Sequence, residues 1–352
     1  MRETGLSVSG GLAALKHGRC GRGRGNAVAL RRGGRWPVFC ATAVASLVAG
    51  SAASTPAHAV GPGRDGKIAF TQFNADTGSY DIGVAGPGGG DAVDVTADAV
   101  ASDESEPSWS PDARRIAFMS DRGDGSASFI YVMNADGSAV RKLGGGGFNQ
   151  QSPAWSPNGG WIAFSRCTAL LENGACSSSQ IVAIRPDGKG FHQVTKPLRG
   201  IVANDAKPAW SPTSARIAFT RTRSFGYNDV WVIGANGKGL RRLLHDESES
   251  DHNPSCSPDG KQIAFASDVT GTDAIFVMSS NGTGVRKLVD EFKDPDDPDA
   301  TIGGGAVNPA FSPSGKSIVF SAGGDIWRVD RAGANPVLVA GSGDDPDWGR
   351  AG

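Results

Sequence analysis

His245 and His252 bracket the acidic stretch HDESESDH, with Asp246, Glu247, Glu249 and Asp251 between them. Imidazole and carboxylate ligands mixed in this way suit a divalent cation, so His245, Asp251 and His252 are candidate metal ligands. A solvated acidic loop accounts for the same residues without a metal, and that is the expectation. Asp294-Pro-Asp-Asp-Pro-Asp299 likewise offers carboxylates to calcium but lacks EF-hand spacing, and it also reads as a charged loop. Cys167 and Cys176 flank TALLENGA and are candidates for a disulfide across one loop, two free thiols being the alternative. Closing so short a loop would contribute roughly 2.5–3 kcal/mol in the chain-entropy picture. No catalytic or cofactor-binding residue stands out. The nucleophile elbow G-x-S-x-G is absent from the sequence, as is a phosphate-cradling P-loop, and no dinucleotide fingerprint stands in a strand–turn–helix pattern.

A second group of polar residues recurs just ahead of a repeated Pro-x-Trp. Glu104 and Glu106, Gln151, Asp205 and Lys207, Asp251, His252 and Asn253, Asn308, and Asp344 and Asp345 all hold such places. Among them Glu106, Asp205, Asp251, His252, Asn308 and Asp345 are the candidate binding residues. They are expected in loops that converge at the mouth of a central channel, where an acidic-polar rim would receive a peptide or a basic group.

The elements that position these residues follow from internal repetition. Pro107-Ser-Trp-Ser-Pro-Asp112 leads to RIAFMSD, then IYVMNADG, then VRKL ending at Leu143. The unit returns from Pro153, Pro208, Pro254 and Pro309, with Cys256 and Phe311 standing where Trp stands elsewhere. Residues 65–96 lack the Pro-x-Trp opening, and residues 346–349, Pro-Asp-Trp-Gly, are an opening without a unit. Joined, they make a sixth copy.

Each copy converts to four strands. Pro-Asp-Gly and Asn-Gly types make the turns, because Asn, Asp and Gly accept positive φ cheaply. Ile-Ala-Phe has no polar alternation, so both faces of the second strand should be covered. Ile116 and Phe118 would point one way while Ala117 lets the adjoining sheet approach. The expected fold is all-β, a six-bladed β-propeller closed by pairing the strand around Trp348 with the strand around Ile68. Its blades are expected near 65–96 plus 345–349, 105–143, 152–195, 206–244, 252–289 and 307–339. Cys256 is expected as a small buried apolar residue in a less densely packed blade.

Residues 1–59 read as a cleaved signal peptide, with 60–352 as the mature domain. Eight bases and one acid precede an apolar run of thirteen residues, Val38 to Gly50, and an Ala-His-Ala site ending at Ala59. The run is too short to span a bilayer. The whole chain has 35 Lys+Arg against 36 Asp+Glu, so residues 60–352 keep 27 bases against 35 acids, a formal net charge of −8. That balance argues against nucleic-acid binding.

The repeats resemble the PD40 (WD40-like) units of TolB-like β-propellers over residues 65–349. The resemblance implies a secreted or cell-envelope (periplasmic) bacterial scaffold that binds a protein or peptide partner, without cofactor and without a membrane span, here as a monomer. TolB carries an α/β domain ahead of its propeller and contacts an outer-membrane lipoprotein; residues 65–349 match the propeller only. Some pectate-degrading lyases also resemble this fold and hold a metal with histidines, so a metal-dependent polysaccharide lyase or hydrolase is the alternative.

Overall fold

The computed structural model describes residues 63–97, 102–123, 127–172, 175–196, 203–222, 226–244, 249–289 and 305–352. Residues 1–59, His245 and the Asp294–Asp299 carboxylates lie outside the described residues. Every regular element among the described residues is a strand, twenty-four in all.

The strands fall into antiparallel sets of four. The first sheet runs β24 (Gly343–Arg350), β1 (Asp65–Asn74), β2 (Ser79–Ala85), β3 (Val93–Asp94). The second holds β4 (Glu104–Trp109), β5 (Arg115–Ser120), β6 (Phe129–Asn134) and β7 (Arg141–Lys142). Then come β8 (Phe148–Trp155), β9 (Ile162–Leu170), β10 (Cys176–Ile184) and β11 (His192–Gln193), and β12 (Asn204–Trp210), β13 (Arg216–Thr222), β14 (Asn228–Gly234) and β15 (Arg241–Arg242). A single parallel bridge from Ser179 to Asn204 joins these two sets into one larger sheet. The last two are β16 (Asp251–Cys256), β17 (Gln262–Ser267), β18 (Ala274–Ser279), β19 (Arg286–Val289), and β20 (Val307–Phe311), β21 (Ser317–Ala322), β22 (Asp325–Asp330), β23 (Val337–Ala340). The expected pairing of the chain's two ends is present, with Ile68 opposite Trp348.

Local chemistry explains the recurrent Trp-Ser-Pro turn. Pro111 cannot donate to a ladder, so the chain leaves the sheet there. Ser110 then holds the turn: its hydroxyl donates to Asp112 Oδ1 at 2.6 Å and accepts the Arg115 N–H at 2.9 Å. Ser156, Ser211, Ser257 and Ser312 accept the N–H five residues on in the same way. The outer strands are shorter than VRKL suggests, two to four residues each. Charged side chains and a free edge give them little to pair with or pack on.

Packing between sets repeats one contact. Ala117 lies in a cluster with Trp155, Ile162 and Phe164 of the following set, while Ile116 and Phe118 lie with Ala69 of the preceding one. Ala163 receives Trp210, Ile217 and Phe219; Ala218 receives Cys256, Ile263 and Phe265; Ala264 receives Phe311, Ile318 and Phe320. Val319 receives Trp348, Ile68 and Phe70, so the series returns to the first sheet. Cys256 is buried, as expected, and burial pushes its thiol up to about 12. The thiol faces the Ala209 carbonyl at 3.8 Å, the counterpart of the 3.0 Å bond from Trp210 Nε1 to Ala154.

The hairpin glycines make a second repeating joint. At Gly333, with φ of +89°, a Cβ would sit 2.1 Å from the Leu288 carbonyl of the preceding set. Gly137 meets Val95 and Gly89 meets Leu338 in the same manner, again linking the first set to the last. Gly78 has φ of +71° and open space around it. Gly78→Ala therefore carries only the left-handed backbone term, about 1 kcal/mol. Gly333→Ala adds a collision with rigid backbone and should lose a further ~1–3 kcal/mol in denaturant titration; equal losses for the two variants would contradict this joint.

Candidate functional site

The leading strands β24, β4, β8, β12, β16 and β20 lie one against the next, with β20 also against β24. In each, the residue before the motif proline has a positive φ: Glu106 55°, Ser152 55°, Lys207 56°, Asn253 54°, Asn308 56° and Asp345 60°. The strand register shifts at the same place, for example between Ser105 and Ser108 and between His252 and Ser255. A following proline disfavours right-handed helical backbone and supplies no N–H, so the ladder breaks into a bulge that re-aims the side chain. Six left-handed non-glycine residues, each unfavourable by roughly 1–2 kcal/mol, are held by what they touch.

Those contacts run between sets. The Glu106 N–H donates to Thr71 Oγ1 at 3.1 Å, the Asn253 N–H to Thr220 Oγ1 at 3.0 Å, and the Asp345 N–H to Ser321 Oγ at 3.1 Å. The Glu106 carboxylate accepts the Ser152 N–H, the Ser152 hydroxyl at 3.1 Å and the Lys207 ammonium at 2.9 Å. Asn253 donates its amide to Asn308, which donates in turn to Asp344 at 2.9 Å and Asp345 at 3.0 Å. Thr71 Oγ1 lies 3.5 Å from Asp345 Oδ2.

The structure thus revises the expected rim. Glu106, Asp205, Asp251, His252, Asn308 and Asp345 sit in strands rather than loops. Five of the six are buried, at 1–3% exposure, and His252 is half-buried. The loop reading failed because the leading strands begin two to five residues ahead of the motif proline and pass through a bulge to reach it, rather than starting at Pro-x-Trp. Glu106, Asn308 and Asp345 come together in the polar network. Asp205 instead faces Arg221 across β12 and β13, bidentate at 2.6 and 2.8 Å, with the guanidinium over Trp231. Asp251 is opposite Ser267, and His252 Nε2 is 3.0 Å from Asp273 Oδ1. No group of three or more His, Cys, Asp or Glu that could hold a metal occurs among the described residues. The reading of 1–59, His245 and residues 294–299 falls outside them. Ser152 and Thr71 were missed; the signal for Ser152 was its place directly before a motif proline.

Cys167 and Cys176 are joined, with Cα atoms 5.7 Å apart. They lie within β9 and at the start of β10, so the bridge staples a hairpin rather than a loop. That hairpin leans on the next set: Ser165 and Ser179 both donate to the Asp205 carbonyl, at 2.7 and 3.0 Å.

Residues 192–334 match the family model of the TolB beta propeller domain, PD40. The chain is 26% identical over 170 residues to Uncharacterized peptidase YuxL of Bacillus subtilis (strain 168), covering 48% of this chain and 22% of that protein. It is 32% identical over 112 residues to Tol-Pal system protein TolB of Anaeromyxobacter dehalogenans (strain 2CP-C), covering 32% and 24%. The chain therefore spans about a quarter of these relatives' own lengths. The crystal structure of TolB from Acinetobacter baumannii superposes with a TM-score of 0.61 at 21% identity, over 81% of this chain and 67% of that one. The all-β fold is that of TolB-like propellers. No helix among the described residues is long and apolar enough to cross a membrane.

The buried Asp205–Arg221 pair has a clear energetic signature. Arg221→Met leaves a buried carboxylate alone and should lose about 3–5 kcal/mol, whereas Asp205→Leu with Arg221→Met should regain most of it. Urea titration of the single and double variants checks this, and equal losses in both would contradict it.

Proposed function

We propose that this chain is an extracytoplasmic binding propeller, six blades closed into a ring by the β24–β1 sheet, that holds a protein or peptide partner at the inner strands. Closure is supported by the two series of contacts, aromatic on alanine and glycine on carbonyl, that pass from set to set and return from the last to the first. Secretion is supported by the signal-like residues 1–59 and by the disulfide, which persists in oxidising compartments.

The observation that carries the binding role is the convergence of polar side chains from six strands on one network. Its carboxylates, Glu106, Asp344 and Asp345, outnumber its one ammonium, Lys207. A partner presenting a basic group would meet a surplus of negative charge there, and the field would steer it. Strand ends and loops on the side where the leading strands begin also expose Phe73, Phe148, Leu170, Leu171, Tyr227 and Val269, apolar area suited to burial against a protein.

Chemical cross-linking in envelope extract, followed by binding measurements with the captured partner, tests the reading. Glu106→Gln and Asp345→Asn, with folding verified by circular dichroism, should each weaken binding about tenfold, by the loss of one charge-assisted contact. Unchanged affinity in both variants would remove the inner strands from the binding surface.

A further inference from the structure

We propose that Glu104 is a proton-operated latch on β4, closed when its carboxyl is protonated and released when it ionises. Glu104 opens β4 and is fully buried. Oε1 accepts the hydroxyls of Ser102 and Ser120, each at 2.7 Å, and lies 3.2 Å from Arg122 Nη2. Among the described residues Oε2 has no hydrogen-bond partner, and it has no exposure to solvent. The ionised carboxylate therefore places charge on an oxygen that no described protein donor reaches and bulk solvent does not touch, an expensive arrangement in a low-dielectric site. Protonation at Oε2 removes that charge and leaves Oε1 its two hydroxyl donors.

Burial pushes the Glu104 carboxyl up to about 7, with the two serine hydroxyls and Arg122 pulling the other way. Arg122 also lies over Phe118 and Tyr131, 5.4 Å from each ring centroid. The other ionisable groups on the elements around β4 are Asp103 and Glu106 on the same stretch, Asp121 and Arg115 beside β5, and Tyr131 on β6. Asp65 and Lys67 of β1, Tyr80 and Asp81 of β2, and Asp344, Asp345, Asp347 and Arg350 of β24 complete them, while β8 carries none. Asp103 is also held up by burial and by Asp121, so it titrates in the same direction.

The latch has something to release. Glu106, two residues along the same strand, holds Ser152 of β8 and Lys207 of β12 through its carboxylate. Only Ser105 separates Glu104 from Glu106, and Glu106 is itself held left-handed ahead of Pro107, which restricts its backbone. A start of β4 that moves toward water to solvate Glu104 draws Glu106 with it and loosens the joint to the following set. A carboxyl raised in the folded state contributes fully below its unfolded value, near 4.5, and the contribution is lost as pH climbs through about 7.

Amide hydrogen exchange on the full chain, corrected for intrinsic rates, reads this at pH 5.5, 7 and 8.5. Protection across 102–123 and 148–155 should fall about tenfold or more between the outer pH values. Glu104→Gln should keep protection flat over that range. Ser120→Ala, which removes a donor to the ionised form, should move the midpoint upward and serves if Glu104→Gln does not fold. Protection in the unsubstituted chain that is independent of pH, a pH response retained in Glu104→Gln, or a midpoint unmoved in Ser120→Ala would each overturn the proposal.

Discussion

A large side chain must meet a small one at every joint between strand sets, and the rest of the architecture depends on that rule. The second strand of each set offers Ile and Phe to one side and Ala, or Val319 once, to the other. Sheets can then approach closely on one face while their neighbour's aromatic fills the space. The rule is directional, so each set accepts its neighbour in one order only. Six clusters follow it, and none is left without a successor.

The polar network is a by-product of the same gathering of strands. Bringing six leading strands together puts six pre-proline bulges within reach of one another, and their side chains are pointed inward by a backbone geometry that local sequence disfavours. Such strain persists where surrounding bonds over-determine it. Here those bonds are hydroxyl acceptors, Thr71, Thr220 and Ser321, supplied by the second strand of the preceding set. Polar network, strained backbone and packing between sets are thus one structural unit.

Much of the fold was legible because each repeat states its own four strands through turns and an unalternating Ile-Ala-Phe. The split sixth copy was legible because Ile68 and Trp348 each belong to a half-unit. Burial of Glu106, Asp205 and Asp345 was not, since it depends on neighbours tens or hundreds of residues away. Glu106 was expected ahead of a strand opening at Pro107, because sequence does not show that the strand starts earlier and bulges at the proline. Arg221 as the partner of Asp205 was equally hidden: cross-strand register, not spacing along the chain, brings them face to face.

The sheet that pairs β24 with β1 has a temporal consequence. Its first strand and its last are separated by some 280 residues, so no amount of local folding near Ile68 can complete it. Until Trp348 emerges from the ribosome, β1 keeps a bare edge, a template for pairing with another chain. Loop closure on that scale makes the final docking slow relative to hairpin formation. Synthesis thus passes through an interval in which holding β1 apart from other chains falls to whatever accompanies the nascent polypeptide.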